Sequence, residues 1–107
     1  MDKLIIEMRT EEYIPLIQQY FKHKPVLKAY FFGSVLQPSF NDKSDVDIMV
    51  ELDYKNGGAD FFSYIEMQED LTLLIKRKVD LISANGLSDR IKPLVENSKK
   101  LVYERQR

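Results

Sequence analysis

Apolar and polar residues alternate most regularly between Asp45 and Leu52, where Val46, Ile48, Val50 and Leu52 fall on one side and Asp45, Asp47, Met49 and Glu51 on the other. A period of two is the signature of a strand, and it puts the apolar set on a core and the carboxylates on the opposite face. Val26 to Phe32 is apolar and aromatic, which predicts a buried strand entered after Pro25 and ended by Gly33-Ser34. Val35 to Ser44, with Pro38, Asn41, Asp42 and Ser44, predicts a short turn or helix stub and then a loop. Tyr13 to Lys22 predicts a helix with Pro15 in its first turn. After the turn signal Lys55-Asn56-Gly57-Gly58, Asp60 is placed to cap a helix running to about Arg77. There Phe61, Tyr64, Ile65, Met67, Leu71, Leu74 and Ile75 recur at spacings of three and four, a wide stripe read as core rather than interface. Val79 to Ile82 predicts a short strand broken by Asp80, Asn85-Gly86 a turn, and Ile91 to Asn97 a helix with Pro93 near its start. Leu101 to Tyr103 is apolar but of unassigned type. The order helix, strand, loop, strand, helix, strand, helix predicts one α/β sheet with helices packed on it, a single domain over residues 1–107.

Composition narrows the chemistry. The 107 residues are 44% hydrophobic and 31% charged, enough for one core. Sixteen basic residues against 17 acidic ones give a net charge of -1, without the basic excess of a protein that grips long nucleic acid. No apolar run approaches the ~20 residues of a membrane span, and Met1 to Glu7 lacks the apolar stretch of a signal peptide; a cytoplasmic protein is expected. With no cysteine, disulfides, thiolate zinc sites and cysteine nucleophiles are excluded, and His23 is the only histidine. A site must therefore be built from carboxylates, hydroxyls, lysines and backbone.

Asp45 and Asp47 are two such carboxylates. Their i, i+2 spacing puts both on one sheet face, roughly 6.5–7 Å apart at Cα, where they repel unless a cation lies between them. Mg²⁺ suits this place, being shared between carboxylates and substrate phosphates elsewhere. An exposed Asp-x-Asp on a solvent-facing strand equally needs no function. Gly33-Ser34 shifts the balance, because a glycine lets a phosphate approach the backbone and the Ser hydroxyl and N–H groups donate to it, although turns use both residues freely. Asp80, pointing away from the core beside this strand, adds a third acid, enough for two Mg²⁺ ions; the alternative is an edge charge that blunts aggregation.

Phe32-Gly33-Ser34, then Ser44-Asp45-Val46-Asp47-Ile48-Met49-Val50, then Val79-Asp80-Leu81-Ile82, resembles the minimal nucleotidyltransferases, the smallest members of the DNA polymerase β-like superfamily. The resemblance spans about Val26 to Tyr103. It implies a small mixed β-sheet flanked by helices, with Gly33 and Ser34 holding nucleotide phosphates. Asp45 and Asp47 would bind Mg²⁺, and Asp80 would help deprotonate an attacking hydroxyl and share a metal. The implied reaction is attack of an acceptor on the α-phosphate of ATP, with pyrophosphate leaving. Family members often carry a small residue, an Arg and a Gly where this chain has Leu36, Gln37 and Pro38; Lys43 is the candidate replacement for the lost guanidinium. Many such domains are antitoxins that transfer AMP to a tyrosine of a helical ribonuclease toxin encoded nearby, and the resemblance implies this partner. Two alternatives stand: transfer of AMP to a small molecule, and a binding module without catalysis. Phe40, in a polar loop, is expected to be an exposed contact, His23 a solvated surface residue, and the basic residues after Asp89 a solvated face.

Overall fold

The computed structural model describes residues 3–41, 43–55, 58–84, 89–90 and 92–106. In chain order these form α1 (Lys3–Phe21), β1 (Val26–Phe32), a 3₁₀ turn (Gly33–Leu36), β2 (Val46–Leu52), α2 (Phe61–Ile75), β3 (Val79–Ser83), α3 (Lys92–Ser98) and β4 (Lys100–Glu104). The strands make one mixed sheet in the order β3-β2-β1-β4. β1 is antiparallel to both β2 and β4, whereas β3 runs parallel to β2. A parallel pair needs a crossover, and α2 supplies it. The expected α/β sandwich of sheet and helices is present, and the apolar piece at Leu101 to Tyr103 belongs to edge strand β4.

The alternation in β2 does what its period predicts. Val46, Ile48 and Val50 are buried with Ala29 and Phe31 of β1, beneath Ile17 and Phe21 of α1 and Met67, Leu71 and Ile75 of α2. On the opposite face Met49 is also buried, because α3 closes a small second cluster of Tyr30, Met49 and Val95. Lys99 pins that helix, with Nζ 4.2 Å from the Tyr30 ring centroid and 2.9 Å from Glu96. Among the described residues α3 covers only part of this face; beyond it Asp47 is partly buried and Asp80 exposed.

Four expectations are corrected. α1 starts at Lys3, so Pro15 lies inside the helix rather than in its first turn. Its stripe Tyr13, Ile17 and Phe21 is buried, and Pro15 faces solvent, where water can satisfy the carbonyl that loses its N–H partner. α2 stops at Ile75, two residues early, because Lys76 takes the left-handed conformation with φ 57°. Its core stripe is narrower than expected: Phe61, Ile65 and Leu74 are exposed, as are Phe62 and Leu73. Phe40, finally, is buried rather than exposed, at 4% accessibility. The turn centred on Asn56-Gly57 and the Asn85-Gly86 turn lie outside the described residues.

Sheet edges have unpaired backbone groups. On β3 these groups are met by α2 side chains one turn apart: Val79 N–H donates to Thr72 Oγ1 at 3.2 Å and Leu81 N–H to Gln68 Oε1 at 2.9 Å, while the Tyr64 hydroxyl donates to the Leu81 carbonyl. On β4, Gln18 of α1 donates to the Val102 carbonyl at 2.9 Å. Both outer helices are thereby tied to the sheet they cover. Among the described residues no helix is long and apolar enough to cross a membrane.

Candidate active site

β1 ends in extended backbone at Phe32, and the next residue, Gly33, has φ +71°. That left-handed turn is open to glycine at little cost. The space demands glycine as well: a Cβ at position 33 would lie 2.6 Å from Asp47 Oδ2. Ser34 follows, and both its donors are used locally. Its backbone N–H donates to the Asp47 carboxylate, and its hydroxyl donates to the Asp45 carbonyl at 3.0 Å. The Gly-Ser turn is thus built around the acidic pair.

Asp47 sits in register with Phe32 on one side and Asp80 on the other, so sheet pairing alone places the two carboxylates on neighbouring strands, roughly 4.8 Å apart at the backbone. Burial pushes the Asp47 carboxyl above its ordinary value; the charges of Asp80 and Asp45 add to this, and the Ser34 N–H opposes them. Asp45 is partly exposed and faces Lys78, whose Nζ is 3.8 Å from Oδ2. Asp80 is exposed. Burial and the Asp80 charge also raise the pKa of Tyr64. The structure therefore brings Gly33, Ser34, Asp45, Asp47 and Asp80 to one end of the sheet. The acids are neighbours rather than a closed cage: among the described residues no three acidic or histidine side chains already form a metal-binding group.

Lys43 is not drawn in. It is exposed, its backbone N–H donates to Asn41 Oδ1 at 2.8 Å, and among the described residues it makes no ion pair with the three acids. Gln37 is likewise exposed and serves the turn through its backbone, donating to the Ser34 carbonyl at 3.0 Å and accepting from Phe40 N–H at 3.1 Å. His23 lies exposed in the turn after α1, as expected. Arg105, from the basic C-terminal stretch, is no solvated bystander: it pairs with buried Asp53 at 2.6 Å. Arg77 was not singled out by the sequence, yet it bridges α2 to the loop before β2, donating to the carbonyls of Asn41 and Ser44 at 2.6 Å each.

Residues 16–107 match the family model described as polymerase beta, nucleotidyltransferase. The chain belongs to that nucleotidyltransferase family. Two relatives from Methanocaldococcus jannaschii, both provisionally named protein adenylyltransferases, are 35% and 32% identical; each alignment covers 77% of this chain and 87% of the relative. Among solved structures, a protein described provisionally as a minimal nucleotidyltransferase superposes with a TM-score of 0.65 at 24% identity, over 94% of this chain and 95% of that one. A toxin–antitoxin structure with AMP-PNP gives 0.66 at 22% identity, over 87% and 73%. A complex of a tri-AMPylated Shewanella oneidensis HEPN toxin with its MNT antitoxin gives 0.60 at 20% identity, over 92% and 72%. These structures share the nucleotidyltransferase fold of this chain.

Proposed function

We propose that the protein is a Mg²⁺-dependent adenylyltransferase that moves AMP from ATP to a tyrosine hydroxyl of a helical ribonuclease toxin, and so acts as its antitoxin. The observation that carries the reading is the convergence of Asp45, Asp47 and Asp80 on the Gly33-Ser34 turn. The names of the relatives and the AMPylated toxin bound to a structural neighbour favour a protein acceptor.

The residues fit the cation. They offer hard carboxylate oxygens only, and burial and two neighbouring carboxylates disfavour the charged form of Asp47, a strain that a divalent cation would relieve. Asp45 and Asp47 would hold it, with Asp80 as a third ligand where two ions bind. Bound there, Mg²⁺ would neutralise phosphate charge as the bond to pyrophosphate breaks. Gly33 leaves room for the Asp47 carboxylate against the backbone, and Ser34 holds the Asp45 and Asp47 segments in place beside it. Asp80, exposed at the edge of the cluster, takes the proton of the attacking hydroxyl. That oxygen forms the new bond to the α-phosphorus, and pyrophosphate leaves with the electrons of the broken bond. Because ATP and Mg²⁺ are abundant in the cytoplasm, the reaction is assigned there.

A second reading is favoured by two observations, Gln37 in place of the usual Arg and the exposed Phe61, Phe62 and Leu73 on α2: a module that silences its partner by docking alone. Mass spectrometry separates them. A helix-rich partner encoded beside this chain, incubated with the protein, ATP and Mg²⁺, should gain the mass of AMP on a tyrosine. The gain should vanish with EDTA and with Asp45→Asn or Asp47→Asn. Neutralisation of the partner without any mass gain would replace the transferase with the docking module.

A further inference from the structure

We propose that Arg77 is a positioning residue for Asp45, acting through the loop that leads into β2. The inference rests on the reading of Asp45 as a cation ligand. Between the Gly-Ser turn and β2 the described residues, 37–41 and 43–45, form no helix or strand, and Asn41 and Lys43 are exposed. The backbone bonds of this connection are local, Phe40 N–H to the Gln37 carbonyl at 3.1 Å and Ser44 N–H to the Asn41 carbonyl at 3.0 Å, and its end is where Asp45 must be presented.

A side chain from outside the loop adds to these local bonds. Arg77 Nη2 donates to the carbonyls of Asn41 and Ser44, both at 2.6 Å, so it holds both ends of the Asn41–Ser44 turn, which a Ser44 N–H to Asn41 carbonyl bond of 3.0 Å closes. Its guanidinium carbon lies 4.7 Å from the centroid of the Phe40 ring, and Phe40 is itself embedded in the main core. The stack ties the loop to the rigid part of the molecule. Hydrogen bonds from a charged donor are the stronger kind, and only a planar guanidinium can stack on a ring and serve two carbonyls together.

The anchor at the other end is equally defined. α2 stops at Ile75; Arg77 and Lys78 lead into β3 at Val79, and the Lys78 carbonyl accepts the Val46 N–H at 2.9 Å. The backbone around Asp45 is thus fixed at three consecutive points: Arg77 on the Ser44 carbonyl, the Ser34 hydroxyl on the Asp45 carbonyl, and Lys78 on the Val46 amide. Loss of Arg77 frees the first point and leaves the other two, so the sheet persists while the direction of the Asp45 carboxylate is less tightly set. Residues that orient metal ligands from behind typically change affinity 10- to 100-fold when lost.

Mn²⁺ titration followed by electron paramagnetic resonance, on folded protein well below each thermal midpoint, tests this directly. Wild type, Arg77→Lys, Arg77→Met and Asp45→Asn are compared. We expect Arg77→Met to bind Mn²⁺ about tenfold or more weakly, with a smaller loss for Arg77→Lys, and with thermal midpoints that do not follow the same order. Wild-type affinity in Arg77→Met, together with weakened binding in Asp45→Asn, would overturn the role of Arg77 while leaving Asp45 a ligand. Unchanged affinity in Asp45→Asn would instead overturn the reading of Asp45, and the role of Arg77 with it.

Discussion

Gly33 cannot be exchanged for alanine without consequence, because its φ of +71° strains any side chain and a Cβ would lie 2.6 Å from Asp47 Oδ2. Gly33→Ala should cost about 1–3 kcal/mol in chemical denaturation and displace the Asp47 carboxylate; an unchanged denaturation midpoint would contradict this geometry. Asp47 makes a prediction of opposite sign. Its pKa is raised on folding, so the native state binds a proton more readily than the unfolded chain does. Stability is then lost as pH rises from the ordinary carboxylate range through the raised native value, and is recovered on acidification. Asp47→Asn removes that cost and keeps an oxygen for the Ser34 N–H. The variant should melt a few degrees above wild type at pH 7 to 8 without metal, with a gap that closes towards pH 4. A gap independent of pH would show that burial and neighbouring charge are not what strains Asp47. At this scale the sequence revealed the acids and the Gly-Ser turn, since local spacing sets both. It could not reveal Arg77 or the burial of Phe40, whose contact joins segments far apart in the chain.

The elements were most legible where burial alternates with the natural period. β2 is the clearest case, its buried Val46, Ile48 and Val50 flanking the half-buried Asp47. The start of α2 was legible too: Asp60 Oδ1 accepts the Ser63 N–H at 2.8 Å, and Ser63 Oγ accepts the Asp60 N–H at 2.9 Å. Asp60→Ala should therefore cost about 1 kcal/mol. The end of α2 was hidden because Lys76, not glycine, occupies the left-handed position. A side chain is strained there, so Lys76→Gly should raise stability by about 1 kcal/mol or less, read as a higher denaturant midpoint. A lower midpoint would mean that the lysine side chain contributes more than its backbone costs. α1 was underestimated because a proline normally ends a helical pattern; here the buried stripe Tyr13, Ile17 and Phe21 outweighs the lost hydrogen bond.

Across the whole molecule, β4 forms one edge of the sheet, and the residue after it is locked by charge. Arg105 Nη1 lies 2.6 Å from Asp53 Oδ2, and Nη2 donates to the Lys24 carbonyl at 3.1 Å. Three distant segments meet there, at the end of the sheet away from the acids. Arg105→Met should destabilise the protein by roughly 1–3 kcal/mol, less than for a fully buried pair because the guanidinium is partly exposed; thermal unfolding would register it, and the affinity for Mn²⁺ should not change. The opposite end carries the proposed site, and its plan was legible because strand register converts sequence spacing into proximity. The central claim is that this end breaks ATP at the α-phosphate and passes AMP to a protein. The most direct test is to offer the protein and its neighbour-encoded partner ATP labelled either at the α- or at the γ-phosphorus, with Mg²⁺. Label should reach the partner only from the α-position and should disappear in Asp45→Asn. Transfer from the γ-position, or α-label that survives this substitution, would contradict the account.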